Sequence, residues 1–236
     1  MNDNPTNANE QNDLAWKYCR GDGVPKDLQK ANYWFTKAAE QGDANAQCQL
    51  GVNYFFGDGV QQDPEKANYW LTKSAEQGNA DAQAFLGSSI SSENPEKANY
   101  WFNKAAEQGH AHAQFQLGNN YLYGRGAKDP EKAKYWLTKA AEQGMAEAQF
   151  SLGTYYFGDG VPRDLEKANY WFTKAAEQGQ DGAQYMLGNN YTFGFGVPKD
   201  PEKARYWLTK AVEQNGEAAE AAKKVLAALE RDQNGE

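Results

Sequence analysis

Apolar residues recur along this chain with a helical period, interrupted at regular intervals by glycine-rich breaks. In the best preserved segment, Ala46, Leu50, Gly51 and Tyr54 fall at i, i+4, i+5 and i+8, one stripe of a 3.6-residue period. This predicts a first helix, A. After the break at Gly57-Asp58-Gly59-Val60, a second stripe runs through Ala67, Trp70, Leu71, Ser74 and Ala75 and predicts a helix B. Helix B opens on Asp63 as N-cap, Pro64 at the first helical position and Glu65 at the positive end of the dipole. It stops at Gly78, a residue suited to a left-handed C-cap.

The pattern repeats. Trp recurs at 34, 70, 101, 136, 171 and 207, separated by 36, 31, 35, 35 and 36 residues, which marks six copies of a unit of about 36 residues. The copies run approximately over 8–42, 43–78, 79–109, 110–144, 145–179 and 180–216. A polar N-terminal segment spans 1–11, the repeats proper occupy 12–216, residues 217–231 read as a C-terminal capping helix, and 232–236 as a tail. A two-helix unit cannot bury its apolar stripes alone, so consecutive units must stack into an all-α superhelix. Gly51 recurs at 87, 118, 153 and 188, with Ala15 in the first copy. Glycine inside a helix costs about 1 kcal/mol relative to alanine, so its recurrence points to close helix approach.

The pattern A-x-A-Q-x-x-L-G-x-x-Y-x-x-G-x-G-V-x-x-D-x-x-K-A-x-x-W-x-x-K-A-A-E-Q-G resembles that of the Sel-one-like repeats, relatives of the tetratricopeptide repeats, over roughly residues 8–216. The resemblance implies an α/α superhelix, a right-handed solenoid of helix-turn-helix repeats. It further implies a non-enzymatic adaptor or scaffold that binds a partner protein or peptide, with an inhibitor or immunity-type protein that sheathes a toxin or enzyme as the alternative. In such stacks the A helices line the concave wall. The wall slots two before, and two, five and six after, the recurring Leu then hold Trp16, Val52, Phe55, Phe56, Phe115, Asn119, Tyr123, Phe150, Thr154, Tyr185, Asn189 and Phe193. Aromatic anchors with asparagines between them would suit an extended peptide or a helix. Phe115, Phe150 and Tyr185 lean towards packing, since aromatics two before the Leu are common in such repeats. Asn119, Asn189, Phe55, Tyr123 and Phe193 lean towards binding.

The copies also differ. Leu86 to Pro95 is nine residues where Leu50 to Pro64 is fourteen, so the third copy lacks the Gly-x-Gly-Val turn. Both a tolerated deletion and a notch in the binding surface are open readings. On helix B a tyrosine row, 33, 69, 100, 135, 170 and 206, is uniform enough to favour repeat-to-repeat packing, with a second binding surface as the alternative.

Composition narrows the chemistry. A net charge of -8 with lysines interspersed among acids leaves no basic face for nucleic acid. No apolar run approaches the roughly 18 residues of a membrane span, and the polar N-terminal stretch lacks a signal core, so the chain reads as cytoplasmic and monomeric. A mature exported chain restarted with Met would look the same. Cys19 and Cys48, offset by seven positions, about 10 Å along neighbouring helices, read as free thiols. His110 and His112 lack the partners of a metal cage, and no serine has a lysine three residues on, as a Ser-x-x-Lys nucleophile requires. Neither a catalytic centre nor a cofactor is expected.

Overall fold

A computed structural model describes residues 5–126, 128–158 and 163–234, with side chains given through 231. Among them are thirteen helices and no strand. The first six are α1 (Ala8–Arg20), α2 (Leu28–Glu40), α3 (Ala44–Phe56), α4 (Pro64–Glu76), α5 (Ala80–Ile90) and α6 (Pro95–Glu107). They are followed by α7 (Ala111–Tyr123), α8 (Pro130–Glu142), α9 (Ala146–Phe157), α10 (Leu165–Glu177), α11 (Asp181–Phe193), α12 (Pro201–Glu213) and α13 (Ala219–Asn234). Odd-numbered helices α1 to α11 are the A helices and even-numbered ones the B helices. The chain forms two compact units, Met1–Ala113 and Gln114–Glu236.

Helix ends follow local chemistry. Asp63 accepts the Lys66 backbone N–H at 3.0 Å, and Asp27, Asn94, Asp129, Asp164 and Asp200 cap their helices in the same way. The Lys66 N–H holds the Asp63 carboxyl below its usual range. Just past the B helices, Gly42 and Gly78 take φ +94°, the left-handed conformation that ends a helix cheaply only for glycine. The Gly158 to Val161 turn of the fifth copy lies, beyond Gly158, outside the described residues.

Within each unit the recurring residues form the core. Leu50, Leu71, Leu117, Leu137, Leu152, Leu187 and Leu208 are buried, as are Phe35, Phe102 and Phe172. Gly51 sits where a Cβ would lie 2.6 Å from Leu71 Cγ and 3.0 Å from its backbone N, so only glycine admits α4 this close to α3.

Two buried polar devices tie repeats together. Gln47 donates to the Ala39 carbonyl of α2 at 3.0 Å and accepts from Gln77 past α4 at 2.7 Å, linking three helices through one amide. Gln149 is built alike, donating to Ala141 and accepting from Gln178. The second device is an asparagine clasp. Asn32 of α2 donates to the carbonyls of Leu28 and Asp58 and accepts from Asn53 of α3 at 2.7 Å. Asn169 of α10 repeats this with Leu165, Phe195 and Asn190 of α11. In both places helix B begins with Leu instead of Pro, and the next repeat's turn lies on it: a Cβ on Gly59 or Gly196 would come within 2.5 Å of the Cβ of Leu28 or Leu165. Where the third copy lacks its turn, Asn68, which occupies the same slot, is exposed. The deletion thus uncovers the start of α4 and removes a buried inter-repeat bond, the local consequence that either reading of the shortened copy shares.

Candidate functional site

The wall residues divide by exposure. Phe55, Phe56, Tyr123 and Phe193 are exposed by 37, 61, 62 and 52% at the C-terminal ends of α3, α7 and α11. Trp16, Val52, Phe115, Phe150 and Tyr185 are half-buried and pack against the apolar cores of their units. Trp16 meets Phe35 edge-on at 5.4 Å, and Phe150 lies 5.8 Å from Phe172. Thr154, half-buried, donates back to the Phe150 carbonyl at 3.1 Å. Asn119 and Asn189 are half-buried, and each has a buried Oδ1 without a hydrogen-bond partner. Like Asn12 and Asn190 on the same set of helices, they carry an acceptor that costs about 1–3 kcal/mol when buried without a donor.

Exposed rings and half-buried ones meet in one cluster in each unit, Tyr123 standing apart from both. In the first, Phe55 and Phe56 stand edge-on at 5.0 Å, and Phe85 of α5 joins them at 5.0 Å from Phe55 and 6.2 Å from Phe56. In the second, Phe195, which is 41% exposed in the turn after α11, lies 5.7 Å from Phe193 and 6.3 Å from Phe157. The Arg163 guanidinium covers Phe157 at 4.8 Å. Phe85 and Phe195 escape the wall slots, one lying one residue before the recurring Leu and the other in a turn. A signal for Phe195 exists in the sequence, because the other copies place Asp22, Asp58, Arg125 and Asp159 at that turn position.

The tyrosine row departs from its expected packing role. Tyr33, Tyr69, Tyr100, Tyr135, Tyr170 and Tyr206 are 50–56% exposed, each stacked edge-on against the following Trp at 4.8–5.1 Å. A lysine one turn on covers several of these rings, Lys73 lying 4.7 Å from Tyr69. The row is a feature of each helix surface, and its uniformity reflects the underlying Trp.

Other chemistry is absorbed structurally. His110 accepts the Ala113 backbone N–H on Nδ1 at 3.1 Å while Nε2 faces Asp81 at 3.2 Å, so both ring nitrogens are engaged in holding the start of α7. Among the described residues no group of three or more His, Cys, Asp or Glu could hold a metal ion. Cys19 and Cys48 are free thiols, and burial pushes Cys48 up to about 12, with the nearby Asp81 charge adding to the effect. A 650 Å³ cleft beside α8, α9 and the start of α10 is lined by Glu131, Lys134, Tyr155, Tyr156 and Lys167, among others. Its lysines are already paired, Lys134 with Glu131 at 3.0 Å and Lys167 with Asp164 at 2.8 Å. Lys134 and Tyr155 stand where the asparagine clasp stands elsewhere. No helix among the described residues is long and apolar enough to cross a membrane.

The Sel1 repeat model matches six times, over residues 11–43, 44–79, 80–110, 111–145, 146–180 and 182–216. Among solved structures, the chain is 39% identical to a protective antigen with an SLR fold present in uropathogenic Escherichia coli strains, with a TM-score of 0.88 over 96% of this chain and 50% of that one. This chain therefore spans half the length of that antigen. A Sel1 repeat protein from Oxalobacter formigenes is 36% identical with a TM-score of 0.77, over 89% of this chain and 87% of that one. An immunity protein from Pseudomonas aeruginosa shares the fold at 23% identity and a TM-score of 0.51, over 89% of this chain and 83% of that one. No curated protein matches the chain.

Proposed function

The chain belongs to the Sel1 repeat family, and from that premise we propose that it is a non-enzymatic, monomeric protein-binding scaffold that holds a segment of a partner protein on its A-helix face. Sel1 repeats form scaffolds typical of protein–protein interaction. One observation carries the reading for this chain: apart from the uniform tyrosine row, the recurring residues are spent on packing and capping, whereas the large exposed rings of Phe56, Tyr123 and Phe193 sit at positions where the copies differ. Exposed aromatic rings in clusters supply contact area that water solvates poorly, and such residues dominate interface energetics. Asn119 and Asn189 would add hydrogen bonds along the same face. The immunity protein shares only the fold with this chain, so it favours no second reading.

The test is capture of a partner from a lysate of the source organism by the wild type and by the variant carrying Phe56→Ser, Tyr123→Ser and Phe193→Ser together. Because these rings are exposed, the variant is expected to keep its helical circular dichroism. Hot-spot truncations each cost about 2 kcal/mol or more, so partner recovery should fall by at least about tenfold. Unchanged recovery by a folded triple variant would refute the reading.

A further inference from the structure

The residue immediately before each helix-B cap occupies one register position, and the six copies fill it with Lys26, Gln62, Glu93, Lys128, Arg163 and Lys199. In the unit Gln114–Glu236 all three are basic, against the trend of a chain with a net charge of -8. Each is laid over the end of its own helix A. Lys128 packs beside Gly124, where a Cβ would lie 3.4 Å from the Lys128 Cβ. Arg163 covers the Phe157 ring at 4.8 Å. Lys199 packs beside Gly194, where a Cβ would lie 3.2 Å from its Cγ.

The neighbouring acids do not neutralise them. Asp129, Asp164 and Asp200 pair with Lys132, Lys167 and Lys203 at 3.4, 2.8 and 3.3 Å. Among the described residues no carboxylate forms an ion pair with Lys128, Arg163 or Lys199. Beside Arg163 and Lys199, Phe157, Phe195 and Phe193 form one contiguous platform, the first half-buried and the other two exposed, with Arg163 over Phe157 and Lys199 packed beside Gly194. The rings are flanked by Arg163 and Lys199, and on its far side Arg163 shares a cleft with Glu131, Asp164 and Glu166, of which Glu131 and Asp164 are paired with lysines.

We infer that this edge of the unit binds an acidic peptide segment, with an apolar side chain seated on the Phe157–Phe195–Phe193 platform and flanking carboxylates facing Arg163 and Lys199. The inference rests on the protein-binding role proposed above and adds the partner's charge. Rim charges of one sign raise the encounter rate with the opposite sign and reject like-charged segments. A long polyanion fits less well, because a chain with a net charge of -8 repels it along its length, whereas a short segment can be confined to Arg163, Lys199 and the rings between them.

The test selects a displayed library of random 16-residue peptides on the intact protein and measures the enriched clones against variants. The expected result is clones with net negative charge and at least one aromatic or large aliphatic residue. Their affinity should fall about tenfold or more in Arg163→Glu/Lys199→Glu and on raising NaCl from about 50 to 500 mM, as screened rim charges require. Circular dichroism and an unchanged melting temperature would show that this variant is folded. Neutral or basic clones that still lose binding to Phe193→Ser/Phe195→Ser would overturn the charge assignment and leave the scaffold role standing. Clones insensitive to the charge variant, or a library yielding none, would overturn the inference. So would tighter binding of a single-stranded oligothymidylate than of the acidic clones.

Discussion

Asn169→Ala is expected to destabilise the chain by about 3 kcal/mol, because it strips partners from the buried Asn190 amide and the partly buried Phe195 carbonyl at once, a buried group costing about 1–3 kcal/mol when left unmade. Asn169 donates to the Phe195 carbonyl at 2.8 Å and accepts from Asn190 Nδ2 at 2.7 Å, and Asn190 is wholly buried. The Oδ1 of Asn190 already lacks a partner, since Met186 stands where Gln49 satisfies Asn53 in the second copy. The side chain of Asn190 would then make no bond at all. The same substitution at Asn68, where the shortened third copy leaves the slot exposed, should stay within about 0.5 kcal/mol. Urea denaturation of the two variants gives the comparison. Equal losses would show that the clasp contributes nothing. Asn169→Ala should also speed amide exchange in the 194–196 turn, which ties the stability of this junction to the ring platform that Phe195 completes.

Gly51→Ala should destabilise by about 2 kcal/mol even though alanine is the better helix former by about 1 kcal/mol, because overpacking at a closed helix contact costs about 3 kcal/mol. The new Cβ would meet Leu71 Cγ at 2.6 Å, and the Leu71 N and Ala67 O at 3.0 and 3.1 Å, so backbone as well as side chain must move. For a chain of this size the loss corresponds to about 4–8 °C in melting temperature. Gly78→Ala provides the contrast: nothing lies within 4 Å of its Cβ, and its cost comes only from φ +94°. A Gly51→Ala variant as stable as the wild type would mean that α3 and α4 are not in contact through this residue.

The fold was legible because the residues that repeat are those that packing and capping require. Leu50, Gly51, Trp70, Asp63 and Gly78 each have a recurring physical task, and five or six of the six copies restate it with the same residue. Less was legible where recurrence has a local cause. The tyrosine row repeats because each ring leans on the next Trp, and a period alone does not distinguish that from packing between repeats. The site was legible only in outline. Slot arithmetic found Phe55, Phe56, Tyr123 and Phe193, all exposed, but a slot carries no information about how far a half-buried ring such as Phe115 turns into the core. It also missed Phe85 and Phe195, which reach their clusters from off-register positions. The glutamine and asparagine bridges depend on which amide meets which carbonyl between helices, a matter of three-dimensional register. Even so, the Leu-for-Pro exchange at 28 and 165 was a visible trace of the asparagine clasps in the sequence.

The most direct test of the account is amide hydrogen exchange of the intact chain with and without a saturating partner captured by the wild type. Protection should appear at the C-terminal turns of α9 and α11 and through residues 194–199, with the exposed tyrosine faces of α4, α6, α8, α10 and α12 unchanged. Protection confined to those B-helix faces, with the A-helix ends exchanging as in the free chain, would contradict it.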